Sequence, residues 1–161
     1  MPAYTTADFR KNLAPNGLGK RPVSASIIIA ADNDYTLYVN GEVIGRGSNF
    51  RESQSYCVNL ASELLLGCTC HSVFAVSVLN EPGTGGVATP AALITAIDVN
   101  YDDGTSSTIV SDASWRANSQ TPDFQNTDFD DSAWPNAVVV GNANSPPWGV
   151  PSIPPVLAAC N

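Results

Sequence analysis

The chain has 161 residues, of which 43% are hydrophobic and 14% are charged. This length is enough for one domain with a core and too short for two, so we expect a single domain over 1–161. Fifteen Asp and Glu residues oppose seven Lys and Arg residues, and the net charge of −8 would repel phosphate backbones and anionic lipid surfaces. No apolar run approaches the roughly 20 residues of a membrane-spanning helix, so we expect neither a nucleic-acid partner nor membrane insertion.

The predicted elements are almost all β-strands. The segment 23–30 is apolar and β-branched, and 35–45 alternates around Asn40-Gly41, a strong signal for a hairpin turn. Further strands are predicted at 55–60, 72–80, 91–101, 107–112 and 137–141.

Turn and helix signals complete the pass along the chain. The Asp-Asp-Gly run at 102–104 predicts a second hairpin turn. Helical signals are confined to 61–67 and 127–134, and neither segment is long enough to organise a fold. Residues 144–161 begin Pro-rich and are expected to form an extended arm. Seven or eight short strands separated by turns predict an antiparallel β-sandwich.

Four cysteines in an acidic chain indicate an oxidising compartment, and we expect an extracellular or cell-wall location although no signal peptide is visible. Cys68 and Cys70 are too close to bridge each other easily, so one of them is expected to pair with Cys57 and the other with Cys160. A zinc site ranks lower, because Cys-x-Cys with the single His71 departs from the usual ligand spacing. Free buried thiols are the third alternative.

Alternating strand directions would bring three loops, at 31–35, 80–90 and 111–118, to one end of the sandwich. Planar carboxylate and amide groups bind pairs of sugar hydroxyls, and an aromatic ring can face the C–H surface of a sugar. The pattern therefore predicts a carbohydrate site on loops carried by a rigid scaffold. Its candidate residues are Asp32, Asn33, Asp34, Asn80, Glu81, Asp112, Trp115, Arg116, Asn118 and Trp148.

Two other interpretations of the Asp32-Asn33-Asp34 cluster stay open. Its carboxylates would suit a hard cation, so Asp32 and Asp34 are candidate ligands for Ca²⁺, which can itself coordinate a sugar diol. An Asx turn, in which these side chains only close the loop, explains the same residues about as well.

The aromatic and cationic candidates also have structural alternatives. Trp115 and Trp134 are more safely interpreted as packing residues. Arg116 would form a structural ion pair with Asp32 or Asp112. Trp148 is expected to be partly exposed between prolines, with folding back onto a sheet edge as the alternative.

Four segments in order carry a resemblance to a known family: ADNDYTLYVNGEVIG (31–45), the segment 73–117, DFDDSAWPNAVVVG (128–141) and PPWG (146–149). Together they resemble a galactose-binding-domain-like jelly-roll β-sandwich over residues 5–150. Similar domains are the sugar-binding or accessory β-domains of α-L-rhamnosidases and β-galactosidases and small fungal lectin-like proteins. The resemblance implies the sandwich fold, and a calcium ion takes part in sugar binding in related rhamnose-binding modules.

The expected function is that of a non-catalytic fungal-type lectin that binds a glycan through the loops at one end. A single His and no Gly-x-Ser-x-Gly motif argue against a glycoside-processing enzyme, and a lone small sandwich seldom builds the deep cleft that one needs. The alternative is a structural or protein-binding module, or an accessory domain of a glycoside hydrolase. Weak single-site affinity would favour a homo-oligomer, with the apolar segment 150–160 as the expected contact.

Overall fold

The computed structural model describes residues 5–13, 19–60, 71–83, 92–146, 148–149, 151–152 and 160. Within them the chain forms β1 (Thr5–Leu13), β2 (Pro22–Asp32), β3 (Asp34–Val39), β4 (Glu42–Gly47), β5 (Gln54–Asn59), β6 (Ser72–Asn80), β7 (Ala92–Tyr101), β8 (Ser106–Val110) and β9 (Arg116–Ser119). One sheet has the order β4-β3-β6-β1-β9 and the other β5-β2-β7-β8. Every pairing is antiparallel, so the predicted all-β sandwich is confirmed.

Both predicted hairpin turns are present. Asn40 and Gly41 join β3 to β4 with φ angles of 51° and 88°, the left-handed region that favours this dipeptide. The second turn joins β7 to β8, and its Gly104 has a φ of 82°. The main strand boundaries therefore follow from alternation and turn chemistry.

Three sequence expectations are wrong or fall elsewhere. The segment 137–141 is not a strand, and an isolated bridge joins Asn136 to Arg116 beside it. Residues 127–134 form turns and irregular backbone without the expected helical turn, and the helical turn predicted at 61–67 lies outside the described residues. Valines alone do not make a strand when no neighbouring strand offers its backbone.

The core lies between the two sheets. Its largest buried side chains are Trp115, Phe74, Ile27, Ile29, Leu37, Ile97, Val76, Val78 and Val99. Two positions of β4 that face tyrosine rings must be glycine. A Cβ at Gly45 would collide with the Tyr56 ring, and a Cβ at Gly47 would collide with the Tyr35 ring. The two tyrosine hydroxyls lie 3.0 Å apart under this strand.

The lower half of the outer face of the five-stranded sheet is also buried. Phe124 and Trp134 cover Val73 and Ala75 of β6 there. Arg10 of β1 is fully buried beneath the same cover, where its Nε donates to Asp131 Oδ2 at 2.9 Å and its Nη1 donates to the carbonyls of Phe124 and Asn126. This second apolar layer explains why β6 is buried along most of its length.

The disulfide joins Cys57 of β5 to Cys160, with 5.2 Å between their Cα atoms. The expected pairing of Cys57 and Cys160 with Cys68 and Cys70 is therefore wrong, and the latter two lie outside the described residues. An isolated bridge joins Glu52, just before β5, to Ser152 of the C-terminal segment. The described parts of the chain contain no helix that is long and apolar enough to cross a bilayer.

Candidate carbohydrate-binding site

Two of the three predicted loops meet at one end of the sandwich. We call the end that contains Asp32, Asn33 and Asp34 the site end, and the end that contains Asn40 and Gly41 the far end. In the strand register Asp32 is opposite Ala92, Asp34 is opposite Leu79, and Thr5 is opposite Asn80. Residues 31–34 and 80–81 are therefore neighbours, as the alternating strand directions predict.

Asn33 ties these two loops together. Its backbone N–H donates to the Leu79 carbonyl at 3.1 Å, and its Oδ1 accepts from the Glu81 backbone N–H at 2.6 Å. The Asp32–Asn33 peptide bond is cis. The Asx-turn interpretation is thus partly correct, because one side-chain oxygen of Asn33 closes the loop while its Nδ2 forms no hydrogen bond with the described residues.

Asp32 is the most unusual group at the site end. It is only 6% exposed, and its carboxylate makes no hydrogen bond or ion pair within the described ranges. Burial raises the pKa of this carboxyl above its usual range. A buried ionised carboxylate of this kind is stabilised only when donors or a cation approach it from outside.

Asp34 faces a different direction from Asp32. Asp32 pairs with Ala92 on the outer face of the four-stranded sheet, whereas Asp34 lines a groove on the outer face of the five-stranded sheet. The predicted metal pair of Asp32 and Asp34 is therefore not brought together. Nowhere in the described residues do three or more His, Cys, Asp or Glu side chains form a group that could hold a metal ion.

Sequence reasoning missed Phe50 and Arg51, which lie beside the apolar cluster that contains the residue opposite Asp32. Phe50 packs against the cluster of Ala30, Ala92 and Trp148, and Ala92 is directly opposite Asp32. The exposed Arg51 guanidinium lies 5.3 Å from the centre of the Phe50 ring. An aromatic–arginine dipeptide in a polar loop between two predicted strands is the signal that could have found them.

Trp148 reaches the site end but offers no exposed ring face. It is 7% exposed, and its ring meets Phe50 edge-on with 6.4 Å between centroids. The expectation of partial exposure is wrong because the outer face of the four-stranded sheet is apolar here and binds the indole. Trp148 supports the position of Phe50 instead of stacking on a ligand.

The third predicted loop, 111–118, does not join the other two. The Ser111 N–H donates to the Thr95 carbonyl, three residues along β7 from Ala92 and thus about 10 Å below the site end. Here the chain crosses from one sheet to the other. Asp112 caps its own turn by accepting from the Ser114 N–H and hydroxyl, which lowers its pKa.

The remaining candidates of that loop have structural roles. Trp115 is 1% exposed in the core, and its Nε1 donates to the Val110 carbonyl. Arg116 donates to the Trp134 carbonyl at 2.9 Å and to Asn136 Oδ1 at 2.7 Å, so the expected ion pair with Asp32 or Asp112 is absent from the described structure. The Asn118 Oδ1 accepts from the next backbone N–H.

Comparison with known proteins places this fold among sugar-binding proteins. No family model matches the chain. The crystal structure of a lectin from Pleurotus ostreatus in complex with GalNAc (N-acetylgalactosamine) superposes with a TM-score of 0.80 and 35% identity, covering 98% of this chain and 45% of that one.

Bacterial α-L-rhamnosidases provide the second group of similar proteins. The crystal structure of the Streptomyces avermitilis enzyme complexed with L-rhamnose has a TM-score of 0.69 and 26% identity over 94% of this chain and 14% of that one. A curated α-L-rhamnosidase from the same organism is 29% identical over 143 residues, which are 85% of this chain and 13% of the relative. The chain thus has the galactose-binding-like β-sandwich fold of a fungal lectin and of a small part of α-L-rhamnosidases, and it spans less than half the length of either.

Proposed function

We propose that this protein is a non-catalytic carbohydrate-binding protein, a lectin that holds one sugar residue of a glycan at the site end. The similarity to a lectin in complex with GalNAc over nearly the whole chain carries the proposal. The geometry supports the location, because the site end brings a buried carboxylate without a described partner together with an amide donor and an exposed guanidinium.

The three groups suit a sugar ring. The Asp32 carboxylate accepts hydrogen bonds from hydroxyl groups, whereas Asn33 Nδ2 and the Arg51 guanidinium donate them. Hydroxyl donors would also give the largely buried Asp32 carboxylate the hydrogen-bond partners that the described residues do not provide. The Phe50 ring beside Arg51 adds apolar surface for the C–H groups of the sugar.

Calcium fits this end as a proposed cofactor. Ca²⁺ takes oxygen ligands from carboxylates, amides and backbone carbonyls, and Asp32 and Asn33 supply such oxygens here. A cation would supply the counter-charge that Asp32 lacks and an anchor for a vicinal diol of the sugar. Because Asp34 faces the other sheet, Asp32 is the carboxylate that we assign to this role.

Titration calorimetry tests the proposal. GalNAc and L-rhamnose are titrated into the protein with calcium and again with EDTA, after a glycan array has widened the choice of saccharide. We expect millimolar or tighter binding of at least one saccharide, weakened at least tenfold by Asn33→Ala and unchanged by the matched control Asn118→Ala. Absence of binding to every saccharide, with and without calcium, would overturn the proposal.

An accessory domain of a longer glycoside-processing enzyme is the second candidate function, favoured by the alignment with 14% of the rhamnosidase chain. A stand-alone lectin gains avidity by self-association, whereas an accessory domain binds as one copy. Agglutination by an oligomer would support the lectin, and a monomer that binds sugar without agglutination would support the accessory domain. The Cys57–Cys160 disulfide supports an extracellular location in both cases.

A further inference from the structure

A polar groove lies on the outer face of the five-stranded sheet, next to the site end. Its volume is about 530 Å³, within the range of small-molecule sites. The strand register aligns Thr6, Leu79 and Asp34 in one row, and Ser77 with Thr36 in the next. The lining residues are Thr6, Asp34, Tyr35, Thr36, Arg46, Gly47, Ser48, Ser77, Leu79 and Gln120. We call it the outer groove.

The outer groove exists because the apolar cover stops halfway along the sheet. Phe124 and Trp134 cover the lower half, and the Thr121 N–H donates to Asp8 Oδ2 at 2.7 Å where the cover ends. The other oxygen of Asp8 is buried without a hydrogen-bond partner among the described residues. Above this row, β4 and Gln120 form the two sides of the groove.

Two opposite charges in the outer groove are left unpaired. The Asp34 carboxylate and the Arg46 guanidinium form neither an ion pair nor a side-chain hydrogen bond with any described residue. The hydroxyls of Thr6, Thr36 and Ser48 are likewise without side-chain bonds in that part of the chain. These are donors and acceptors at the surface that the fold itself does not use.

The charge balance selects the kind of ligand. An anion would be repelled by Asp34 and by the net charge of −8, and a cation would be repelled by Arg46. A neutral ligand with many hydroxyl groups can accept from Arg46 and donate to Asp34 at once. Leu79 adds apolar surface beneath it.

We propose that the outer groove is a second saccharide subsite, which holds the residue next to the terminal sugar of an oligosaccharide. Asp34 directly follows Asn33 but faces the other sheet from Asp32, so the oligosaccharide would pass around the site end to reach the groove. The inference rests on the proposed function, and it makes the preferred ligand an oligosaccharide of at least two residues. Arg46 and Thr36 contact only the second residue.

Calorimetry with paired ligands tests the subsite. Whichever of GalNAc and L-rhamnose binds is compared with di- and trisaccharides that carry it at the non-reducing end. We expect at least one of these to bind about tenfold tighter than the monosaccharide, and we expect Arg46→Met to abolish that gain while leaving monosaccharide affinity unchanged. Arg21→Met, which removes an exposed arginine at the far end, is the matched control and keeps the gain.

Thr36→Val is the second variant, which keeps the shape and removes one hydroxyl, and it should reduce the gain severalfold. If no oligosaccharide binds tighter than the monosaccharide, or if the gain survives both substitutions, the subsite is refuted while the lectin proposal stands. If neither monosaccharide nor oligosaccharide binds, both proposals fall together.

Discussion

The two ends of the sandwich use the same residue types for different purposes. At the far end, Asn40 Oδ1 accepts from the Val73 N–H at 2.7 Å, and Asp102 Oδ1 accepts from the Arg21 N–H at 3.0 Å. At the site end, Asn33 closes a loop in the same way, but Asp32 has no partner among the described residues. Asx residues at a strand end thus indicate a turn, and one left without a described partner is a candidate for the proposed ligand binding.

The pKa directions repeat this contrast. Asp103 at the far end accepts from the Thr105 hydroxyl and N–H, which lowers its pKa to about 2. Burial raises the pKa of Asp32 at the site end. The fold stabilises the ionised form of Asp103 and destabilises the ionised form of Asp32. Such destabilisation is common for functional groups.

The largest effect is expected for Asp32→Asn. Sugar affinity should fall about a hundredfold because a charged acceptor is lost, whereas the melting temperature should stay the same or rise because a buried charge is removed. Calorimetry and thermal unfolding measure the two quantities. The control Glu42→Gln removes an exposed carboxylate at the far end and should change neither the sugar affinity nor the melting temperature. If Asp32→Asn keeps its sugar affinity, the contrast between the two ends is contradicted.

A substitution at the far end should lower the stability of the fold without changing sugar affinity. Asn40→Ala places alanine at a positive φ and leaves the Val73 N–H unpaired, so unfolding in urea should show a loss of about 2 kcal/mol. Saccharide affinity should not change. Asn40→Gly, which tolerates the φ angle and loses only the hydrogen bond, should lose about half as much.

The ionisation of the two aspartates gives the third test. Carbon-detected NMR should find Asp32 titrating above 3.8 and Asp103 near 2. Asp103 therefore contributes stability above its usual pKa that is lost as the pH falls toward 2, whereas Asp32 opposes folding when ionised and does so less as the pH falls. Calcium should lower the Asp32 midpoint alone, and a shift of neither group would remove calcium from the proposal.

The smallest effect on binding is expected for Arg116→Ala. The guanidinium holds the Trp134 carbonyl and Asn136 far from the site end, so its removal should cost about 1 kcal/mol of stability and leave saccharide affinity unchanged. Denaturant unfolding and calorimetry check both. A tenfold loss of saccharide affinity would indicate that the 111–118 loop belongs to the binding site.

Local chemistry predicts the hairpins and the central strands, because Asn40-Gly41 and alternating apolar residues act within a few positions. β1 is missed because its outward Asp8 and Arg10 look solvent-facing and are in fact buried under a segment more than 100 residues later. The convergence of 31–34 with 80–81 follows from strand direction.

Other features of the site depend on contacts that no local pattern contains. Whether Asp32 and Asp34 share a face depends on the chain passing from one sheet to the other between them. The height at which residues 111–118 cross from one sheet to the other depends on how far β8 extends along β7. The burial of Trp148 depends on the apolar outer face of the four-stranded sheet. The Cys57–Cys160 pairing likewise depends on where the C-terminal segment runs.

The C-terminal segment is bound to the loop that carries Phe50 and Arg51 and, through the disulfide, to β5. The Ser152 N–H donates to the Arg51 carbonyl, Ser53 donates to the Ser152 carbonyl, and the disulfide fixes Cys160 to the same sheet. Phe50 lies in this same loop, next to Arg51, and its ring packs against Trp148. We therefore expect reduction of the Cys57–Cys160 bond to loosen the Ser152 contacts and to weaken binding at the proposed site, which calorimetry on the oxidised and the reduced protein tests.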